Sequence, residues 1–290
     1  MEADIQPLFE SNFCRILDFR CQCNHCSISG TEFNERLTIS YVRRGFFEYR
    51  IFKRGLEGHI GRILVSRPGF EHKTRHIEGQ ADASTVFEFS SGFYERLLEH
   101  YPKQARLFLQ NRDLAAMMLR SRPDLDFLHE MIWNKIHSQH VDQLMIDECI
   151  LDFIDKLMNF MGYPKEELSI SSGLRRHHLS TMETAKEYIL DRFRENISLQ
   201  EWSKYCCISP FHFSRIFKAI FNIPPHQYLT NFRLNHAKSL LNSEMPISLI
   251  AQESGFNSLE HFTTAFRQRF GKSPSRERQK MILPASYCWV

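Results

Sequence analysis

The sequence lacks several features that would place the chain in other protein classes. No apolar run approaches the roughly 18 residues that cross a membrane, and the first residues, MEADIQPLFESNF, lack the basic and then apolar pattern of a secretion signal. The eight cysteines are unevenly spaced and do not resemble a disulfide framework. We therefore expect a cytoplasmic protein with reduced thiols and no membrane partner.

A strong excess of one charge is also missing. The net charge is only +3 over 290 residues, which by itself says little about a polyanionic partner. Residues 181–280 nevertheless carry 14 Lys and Arg against 9 Asp and Glu, whereas the rest of the chain is slightly acidic. The length allows about two domains, and 42% hydrophobic residues argue against wholesale disorder. The charge distribution indicates a basic carboxyl-terminal domain behind a near-neutral one.

The amino-terminal part is rich in short strand signals. Residues 16–89 contain β-branched and aromatic runs separated by turn residues, notably Gly45 and the Pro68-Gly69 pair. Many short strands with such turns predict a small barrel or sandwich. From Phe93 the apolar period becomes helical, and Pro102, Pro123 and Pro164 divide the region into helices.

The helix predicted over residues 141–161 has two apolar rows. One row would pack on the strands, and the second row, Leu144, Leu151 and Met158, could find a partner chain. A helix buried on both sides within one chain is the alternative. The first row consists of Ile146, Ile150, Phe153, Ile154, Leu157 and Met161. Residues 162–180 are rich in Ser, Gly and charge without apolar periodicity, which predicts a linker.

Two segments near the carboxyl end repeat one apolar frame. HFSRIFKAIFNIPP (212–225) and HFTTAFRQRFGKSP (261–274) share His-Phe, two further Phe, a helix-ending Asn or Gly and a final Pro. A short apolar helix, a tight turn and a capping residue precede each copy. Two helices across such a turn form a helix-turn-helix, so we predict two of these units. A helical solenoid is the alternative, which two copies support poorly.

The connector between the copies keeps the helical period. HQYLTNFRLNHAKSLLN (226–242) predicts a rigid rod that begins near Pro225. About 18 residues give roughly 27 Å of helix, which compares with the ~34 Å of one DNA turn. One chain could therefore place two reading helices in consecutive major grooves.

With these residues identified, 181–280 resembles the DNA-binding domain of the AraC-type transcription regulators. The resemblance is carried by IAQESGFNSLEHFTTAFRQRFGKSP (250–274); Glu277, where the family usually has an aromatic residue, and Ser203, in place of Ala, depart from it. It implies a regulator that binds double-stranded DNA and a small-molecule effector, forms a homodimer through helix 141–161, and has no cofactor and no enzymatic activity. It also allows a contact with RNA polymerase.

The amino-terminal part resembles the cupin-type sensory domain common in that family. GRILVSRPGFEH (61–72) is similar to the second cupin motif, with His72 where a metal ligand can stand, but the His-x-His of the first motif is missing. The implied fold is α+β with two domains. A cupin-like β-barrel and a helical dimerisation segment (about 93–161) form residues 1–161, a linker covers 162–180, an all-α domain with two helix-turn-helix units joined by a long helix covers 181–281, and a tail covers 282–290.

The resemblance assigns DNA contacts to the outward faces of the two reading helices. Arg215 would pair bidentately with guanine, and Lys218 and Arg267 would contact phosphates. Glu260 would either accept from cytosine N4 or weaken the second half-site. A solvated helix face is the alternative for each polar side chain. The complete set is Phe211, Ser214, Arg215, Lys218, Leu259, Glu260, His261, Thr263, Thr264 and Arg267.

Two groups of cysteine and histidine side chains could form metal or redox sites. CQCNHC supplies Cys21, Cys23, His25 and Cys26, and HKTRH supplies His72 and His76. Zinc sites usually show two separated Cys pairs, and only one partial pair is present, so we predict no metal site. A thiol- or metal-responsive stress regulator remains the alternative, and a cupin enzyme with an accessory helical domain is less favoured. Cys206 and Cys207 are expected to be packing residues, and no effector-binding residue is predicted.

Overall fold

The computed structural model describes residues 3–22, 28–76, 81–111, 113–139, 141–161 and 177–282. The chain divides into two compact units, which are described separately. The first comprises residues 1–183 with Ala219–Phe221, and the second comprises Thr184–Lys218 with Asn222–Val290. The predicted α+β architecture, with a β-rich amino-terminal region and a helical carboxyl-terminal region, is confirmed.

In the described part of the first unit, ten strands form two antiparallel sheets. The six-stranded sheet has the order β1-β2-β9-β4-β7-β10 and the four-stranded sheet the order β3-β8-β5-β6, so the strands form two sheets and not one closed barrel. Gly45 and Gly69, both with positive φ, lie in the predicted turns. The strands are β1 Ala3–Glu10, β2 Cys14–Cys21, β3 Glu32–Phe33, β4 Leu37–Arg44, β5 Phe46–Ile51, β6 Arg54–His59, β7 Arg62–Ser66, β8 Glu71–His76, β9 Ala83–Phe89 and β10 Ala116–Arg120.

Two strands lie outside the predicted β region. Ala116–Arg120 falls in the segment predicted to be helical, yet it pairs with Arg62–Ser66 at a sheet edge. A five-residue apolar run fits a strand as well as a helix, and a partner distant in sequence decides between them. Ala3–Glu10 pairs with β2 and contains Pro7, which an edge strand tolerates because one side of its backbone needs no hydrogen-bond partner.

Helices cover one face of the larger sheet. Their elements are α1 Ser91–His100, the short α2 Pro102–Gln104, a π-helix Ala105–Leu109, α3 Pro123–Ile136 and α4 Gln143–Met161. All six members of the first predicted row of α4 are buried, and Phe153 stacks on Phe87 of β9 with ring centroids 5.3 Å apart. In the second row Leu144 and Leu151 are exposed, but Met158 is fully buried. The second row is therefore shorter than predicted.

The second unit is helical. Its elements are α5 Leu179–Arg192, which begins in the last residues of the first unit, α6 Leu199–Tyr205, α7 Pro210–Phe221, α8 Pro225–Leu240, α9 Ile247–Glu253, α10 Leu259–Phe270 and α11 Pro274–Ile282. The predicted linker falls largely on residues 162–176, and the predicted tail on 283–290, both outside the described residues. Leu179 already belongs to α5, inside the range predicted as linker. None of the helices in the described ranges has the length and apolarity that a membrane span requires.

Candidate nucleic-acid interface

The first helix-turn-helix unit consists of α6, a tight turn and α7. A capping box starts α6: the Ser198 hydroxyl accepts from the Glu201 N–H at 3.1 Å, and the Glu201 carboxylate accepts from the Ser198 N–H at 2.9 Å. The Ser198 hydroxyl also donates to the Glu201 carboxylate at 2.7 Å, and this bond, with the one from the Ser198 N–H, lowers the pKa of Glu201 below its ordinary value. In the turn, the Cys207 N–H donates to the Lys204 carbonyl at 3.0 Å, and Cys207 has a left-handed φ of 57°.

The second unit, α9 and α10, repeats the same turn. The Gly255 N–H donates to the Gln252 carbonyl at 2.9 Å, and Gly255 has a φ of 81°. Cys207 and Gly255 are 48 positions apart, so the same backbone conformation recurs at equivalent positions. The left-handed region suits Gly and costs other residues roughly 1–2 kcal/mol. The first helix-turn-helix unit therefore has a strained residue at this position, and the second helix-turn-helix unit does not.

The reading helices also begin and end alike. Ser209 and Ser258 accept hydrogen bonds from the N–H groups of His212 and His261, at 3.4 and 3.3 Å. Asn222 and Gly271, both left-handed, end α7 and α10. The predicted caps and terminators are confirmed, and Ser258 is the cap of the second helix. Because both helices are capped at equivalent positions, they have the same length of 12 residues.

The apolar frame of each unit is buried against neighbouring helices. Trp202 lies 5.1 Å from the ring of Phe213, and its indole N–H donates to the Ala185 carbonyl at 3.0 Å. Phe262 and Phe266 form a core with residues from the second half of α8, including Leu234 and Ala237. The repeated phenylalanines therefore hold each reading helix in place, as predicted, and leave the opposite face free to vary.

The outward face of α7 carries the residues predicted to meet DNA. Arg215 and Lys218 are exposed, Ser214 is half-buried, and Phe211 is 79% exposed. A single exposed apolar ring is common on protein surfaces, so the evidence for an interface is the spacing that the four side chains share. These four side chains follow the i, i+3, i+4, i+7 spacing of one helix face.

The outward face of α10 is also accessible. Glu260, Thr264 and Arg267 are exposed, Thr263 is half-buried, and Leu259 is 47% exposed. His261 is exposed at the start of the helix and lies 5.6 Å from the ring of Phe256. None of the ten predicted residues is fully buried, so both faces are available for contacts with a macromolecule.

The last helix, α11, differs from the family pattern where the sequence departs from it. Glu277 pairs with Lys238 of α8 at 3.6 Å, and the Arg278 guanidinium donates to the carbonyls of Leu241 and Met245 at 3.2 and 2.6 Å. An ion pair and two hydrogen bonds therefore attach α11 to the end of α8. Glu277, which forms the ion pair, stands at the position where an aromatic residue was expected from the resemblance.

The first unit contains a cavity of about 240 Å³ between its two sheets. Its polar lining includes Glu32, Tyr49, His72, Asp82, Ser84 and Glu88. The Nδ1 atom of His72 and the Oγ atom of Ser84 are buried and have no hydrogen-bond partner among the described residues. His72 also stacks on Tyr49, with ring centroids 4.5 Å apart. Buried polar atoms normally have partners, so these two atoms are exceptions to the rule.

Several hydrogen bonds and charges surround this cavity. The His72 Nε2 atom lies 3.4 Å from the Glu32 carboxylate, and this contact lowers the pKa of Glu32. Burial raises the pKa of Tyr49 to about 12, so its hydroxyl is protonated at neutral pH and accepts from the Asn34 amide at 2.8 Å. Among the described lining residues there is no Lys or Arg. No sequence signal identified this cavity, because its described lining comes from eight strands.

The structure separates the predicted metal and thiol candidates. Cys23, His25 and Cys26 lie outside the described residues. Cys21 and His76 are buried together with Asp82, which the sequence did not suggest, and the ligand atoms of the three lie within 4.8 Å of one another. His72 faces the cavity and does not belong to this group.

The other described cysteines fit the packing interpretation unequally. Cys206 is buried, and burial raises the pKa of its thiol to about 11, so the thiol stays protonated at neutral pH. Cys14 and Cys149 are buried as well, and burial raises the pKa of both. Cys207 is exposed, which corrects its assignment as a packing residue: its role is the left-handed turn.

Comparison with known proteins supports the assignment of the second unit. Residues 202–280 match a family described as a helix-turn-helix domain. LumQ of Photobacterium leiognathi, a probable transcriptional regulator, is 30% identical over 139 residues, which are 48% of this chain and 53% of LumQ. ExsA of Pseudomonas aeruginosa, an HTH-type transcriptional regulator, is 28% identical over 127 residues, 43% of this chain and 46% of ExsA. The chain thus spans about half the length of these curated relatives.

A solved structure aligns with nearly the whole chain. ToxT from Vibrio cholerae, in a structure with an unsaturated fatty acid bound, covers 93% of this chain and 96% of its own, at 14% identity and a TM-score of 0.40. The repeated turns, caps and buried frames, together with the family match, identify the carboxyl-terminal unit as a member of the AraC-type helix-turn-helix family.

Proposed function

We propose that the protein is a transcription regulator that binds specific double-stranded DNA through α7 and α10, under control of a small effector bound by the amino-terminal unit. One observation carries the proposal: two units with matching turns and caps expose an equivalent helix face, while their apolar faces are buried. A helix face that only contacts water would have no reason to recur in a second unit together with the same turn, caps and buried phenylalanines.

The two faces have different chemistry, which supports a division between base reading and phosphate binding. Arg215 lies in the first half of α7, where a recognition helix enters the major groove, so it would contact a guanine edge. Lys218 and Arg267 lie further along their helices and would contact phosphates, which fix the register without reading sequence. Glu260 would accept from cytosine N4 in the second half-site.

Replacing Arg215 tests this division. The variant Arg215→Ala should lose about 1–3 kcal/mol of discrimination between its selected site and a scrambled site, because a bidentate guanine contact is removed. This corresponds to a roughly 5- to 150-fold smaller ratio of affinities. Fluorescence anisotropy at fixed salt measures both affinities, and fixed salt is required because phosphate contacts make both salt-dependent.

The matched control is Arg269→Ala. Arg269 is an exposed arginine on α10 that lies off the proposed reading face, so its loss removes the same charge. We expect this variant to lower the affinity for the selected site and for the scrambled site by a similar factor, so that the ratio of the two affinities is retained. Unchanged discrimination in Arg215→Ala would remove Arg215 from the proposed set of base contacts.

The cavity between the sheets is the proposed effector site. Three carboxylates and an absence of Lys and Arg among the described lining residues favour a small polar molecule with hydroxyl or amine donors. In chelator-treated protein, a carboxylate ligand would meet only like charges. Titration calorimetry of the chelator-treated full chain with small polyols, amines and carboxylic acids should give heat with the first two classes, and Ser84→Leu, which fills the cavity, should abolish it. Binding of carboxylic acids alone would refute the assignment.

Homodimerisation through α4 is the remaining part of the proposal. Leu144 and Leu151 are 71% and 46% exposed and lie seven residues apart, on one face of the helix. A second copy of α4 could cover this row. Sedimentation of the full chain should give a dimer that the double variant Leu144→Asp/Leu151→Asp converts to a monomer. A monomeric unmodified chain would contradict it.

A further inference from the structure

Three polar side chains from three strand ends meet inside the first unit. Cys21 is the last residue of β2, His76 is the last residue of β8, and Asp82 directly precedes β9. All three are buried, with exposures of 6%, 4% and 3%. Strand β8 belongs to the four-stranded sheet and the other two strands to the six-stranded sheet, so the cluster joins the two sheets.

The backbone fixes this arrangement. The Cys21 N–H donates to the Asp82 carbonyl at 2.9 Å, which holds the two residues side by side. His76 pairs with Phe47 in the sheet, and its Nδ1 atom lies 2.5 Å from the Asp82 carboxylate. Side chains that strand pairing holds in this way need little reorganisation to bind a common partner.

The three donors are those of a transition-metal site. A thiolate, an imidazole nitrogen and a carboxylate oxygen are the ligands that Zn²⁺ takes in proteins, and three protein ligands leave one position of a tetrahedron open. Asp82 also lines the cavity between the sheets, so a water molecule or a ligand atom in the cavity can reach that open position. An apolar or singly charged partner would not use all three donors.

The required movement is small. Two ligand atoms on one tetrahedral zinc ion lie roughly 3.3 Å apart, given metal–ligand distances of about 2.0–2.1 Å. The His76 nitrogen and the Asp82 oxygen would therefore separate from 2.5 Å by less than an ångström. The Cys21 thiol gives up its proton to solvent when the sulfur binds the ion, and His76 binds through a neutral nitrogen.

We propose that Cys21, His76 and Asp82 form a binding site for one divalent transition-metal ion of the zinc class, with its fourth position open to the cavity. The proposed site departs from the expectation that the chain holds no metal. It differs from the second cupin motif, because His72 lies outside it. It would stabilise the two sheets against each other, and it does not depend on DNA binding.

Cobalt(II) and zinc are the probes. The full chain is stripped with a chelator and titrated with Co²⁺, which reports thiolate coordination by a charge-transfer absorption, and then with Zn²⁺, which should displace it. One equivalent is expected. Cys21→Ser, His76→Gln and Asp82→Asn should each lower the affinity by more than the roughly 10–100-fold that loss of an outer partner costs. Cys207→Ser, which removes an exposed thiol in the second unit, is the matched control and should bind normally.

Two results would overturn the site. One is the absence of a thiolate band in the unmodified chain. The other is a band that Cys23→Ser or Cys26→Ser abolishes while Cys21→Ser keeps it. Circular dichroism of each variant distinguishes loss of metal binding from loss of the fold. If Cys21→Ser does not fold, the cobalt affinity of Asp82→Asn, which keeps the side-chain shape, tests the site instead.

Discussion

At the scale of single residues, both helix-turn-helix units need a left-handed backbone conformation in their turn, and they supply it with different residues. Cys207 and Gly255 occupy equivalent left-handed positions in the two turns, at φ values of 57° and 81°. A Cβ at residue 255 would lie 2.8 Å from the Phe193 carbonyl oxygen and 2.9 Å from the Arg194 Cα. The second turn therefore needs Gly for its dihedral angle and also for its close contacts with the backbone.

Gly255→Ala should lower the free energy of unfolding of the second unit by roughly 2–4 kcal/mol, since left-handed strain and overpacking add. Gly271→Ala is the matched control: Gly271 also has a positive φ of 77°, but a Cβ there meets nothing within 4 Å. It should cost only about 1–2 kcal/mol. Urea denaturation of the full chain, followed by circular dichroism, measures both, and equal losses would show that the contacts of Gly255 are unimportant.

At the scale of elements, α8 contributes a half-buried histidine that couples the fold to pH. His236 lies between the Arg194 guanidinium, 3.3 Å from its Nε2 atom, and the Ser254 hydroxyl, 3.1 Å from its Nδ1 atom. Burial, with a smaller contribution from the Arg194 charge, lowers the pKa of His236 to about 4. In the unfolded chain the pKa is about 6.5, so the fold favours the neutral ring.

The stability of the second unit should therefore be complete above pH ~6.5 and fall progressively as the pH drops toward 4, because only the unfolded chain binds the proton in that range. The total loss is below the roughly 3–4 kcal/mol that a shift from 6.5 to about 4 gives at 1.36 kcal/mol for each pH unit, because solvent partly screens the half-buried ring. Urea midpoints across this range should show the slope in the unmodified chain and lose it in His236→Gln. His226→Gln, at an exposed position of the same helix, should keep it; a slope that persists in His236→Gln would assign the effect to other groups.

The elements that local patterns specify were predicted, and those that depend on distant pairing were not. Ser209, Ser258 and Gly271 signal their caps in the sequence, because the chemistry of a cap is local. The edge strand Ala116–Arg120 is assigned only by its partner β7. The Cys21, His76 and Asp82 cluster likewise depends on strand register, which spacing in the sequence does not reveal.

At the scale of the whole molecule, the central claim concerns two reading helices supported by one rod. Helix α8 has 16 residues and is therefore about 24 Å long, slightly shorter than the predicted rod. The phenylalanines of the second helix-turn-helix unit are buried against α8. Near the start of α8, the ring centroid of Tyr228 lies 5.4 Å from that of Phe217 in the first helix-turn-helix unit. A rigid support of this length favours two half-sites at a fixed spacing on one face of the duplex.

Selection of bound sequences from a random DNA pool by the full chain tests this claim most directly. The account predicts enriched sequences with two motif halves about 10 base pairs apart, between centres. It also predicts that inserting about 5 base pairs between them abolishes the gain in affinity, since half a turn places the second groove on the opposite face. Enrichment of a single motif, or tolerance of the insertion, would contradict the claim that both helices engage one duplex together.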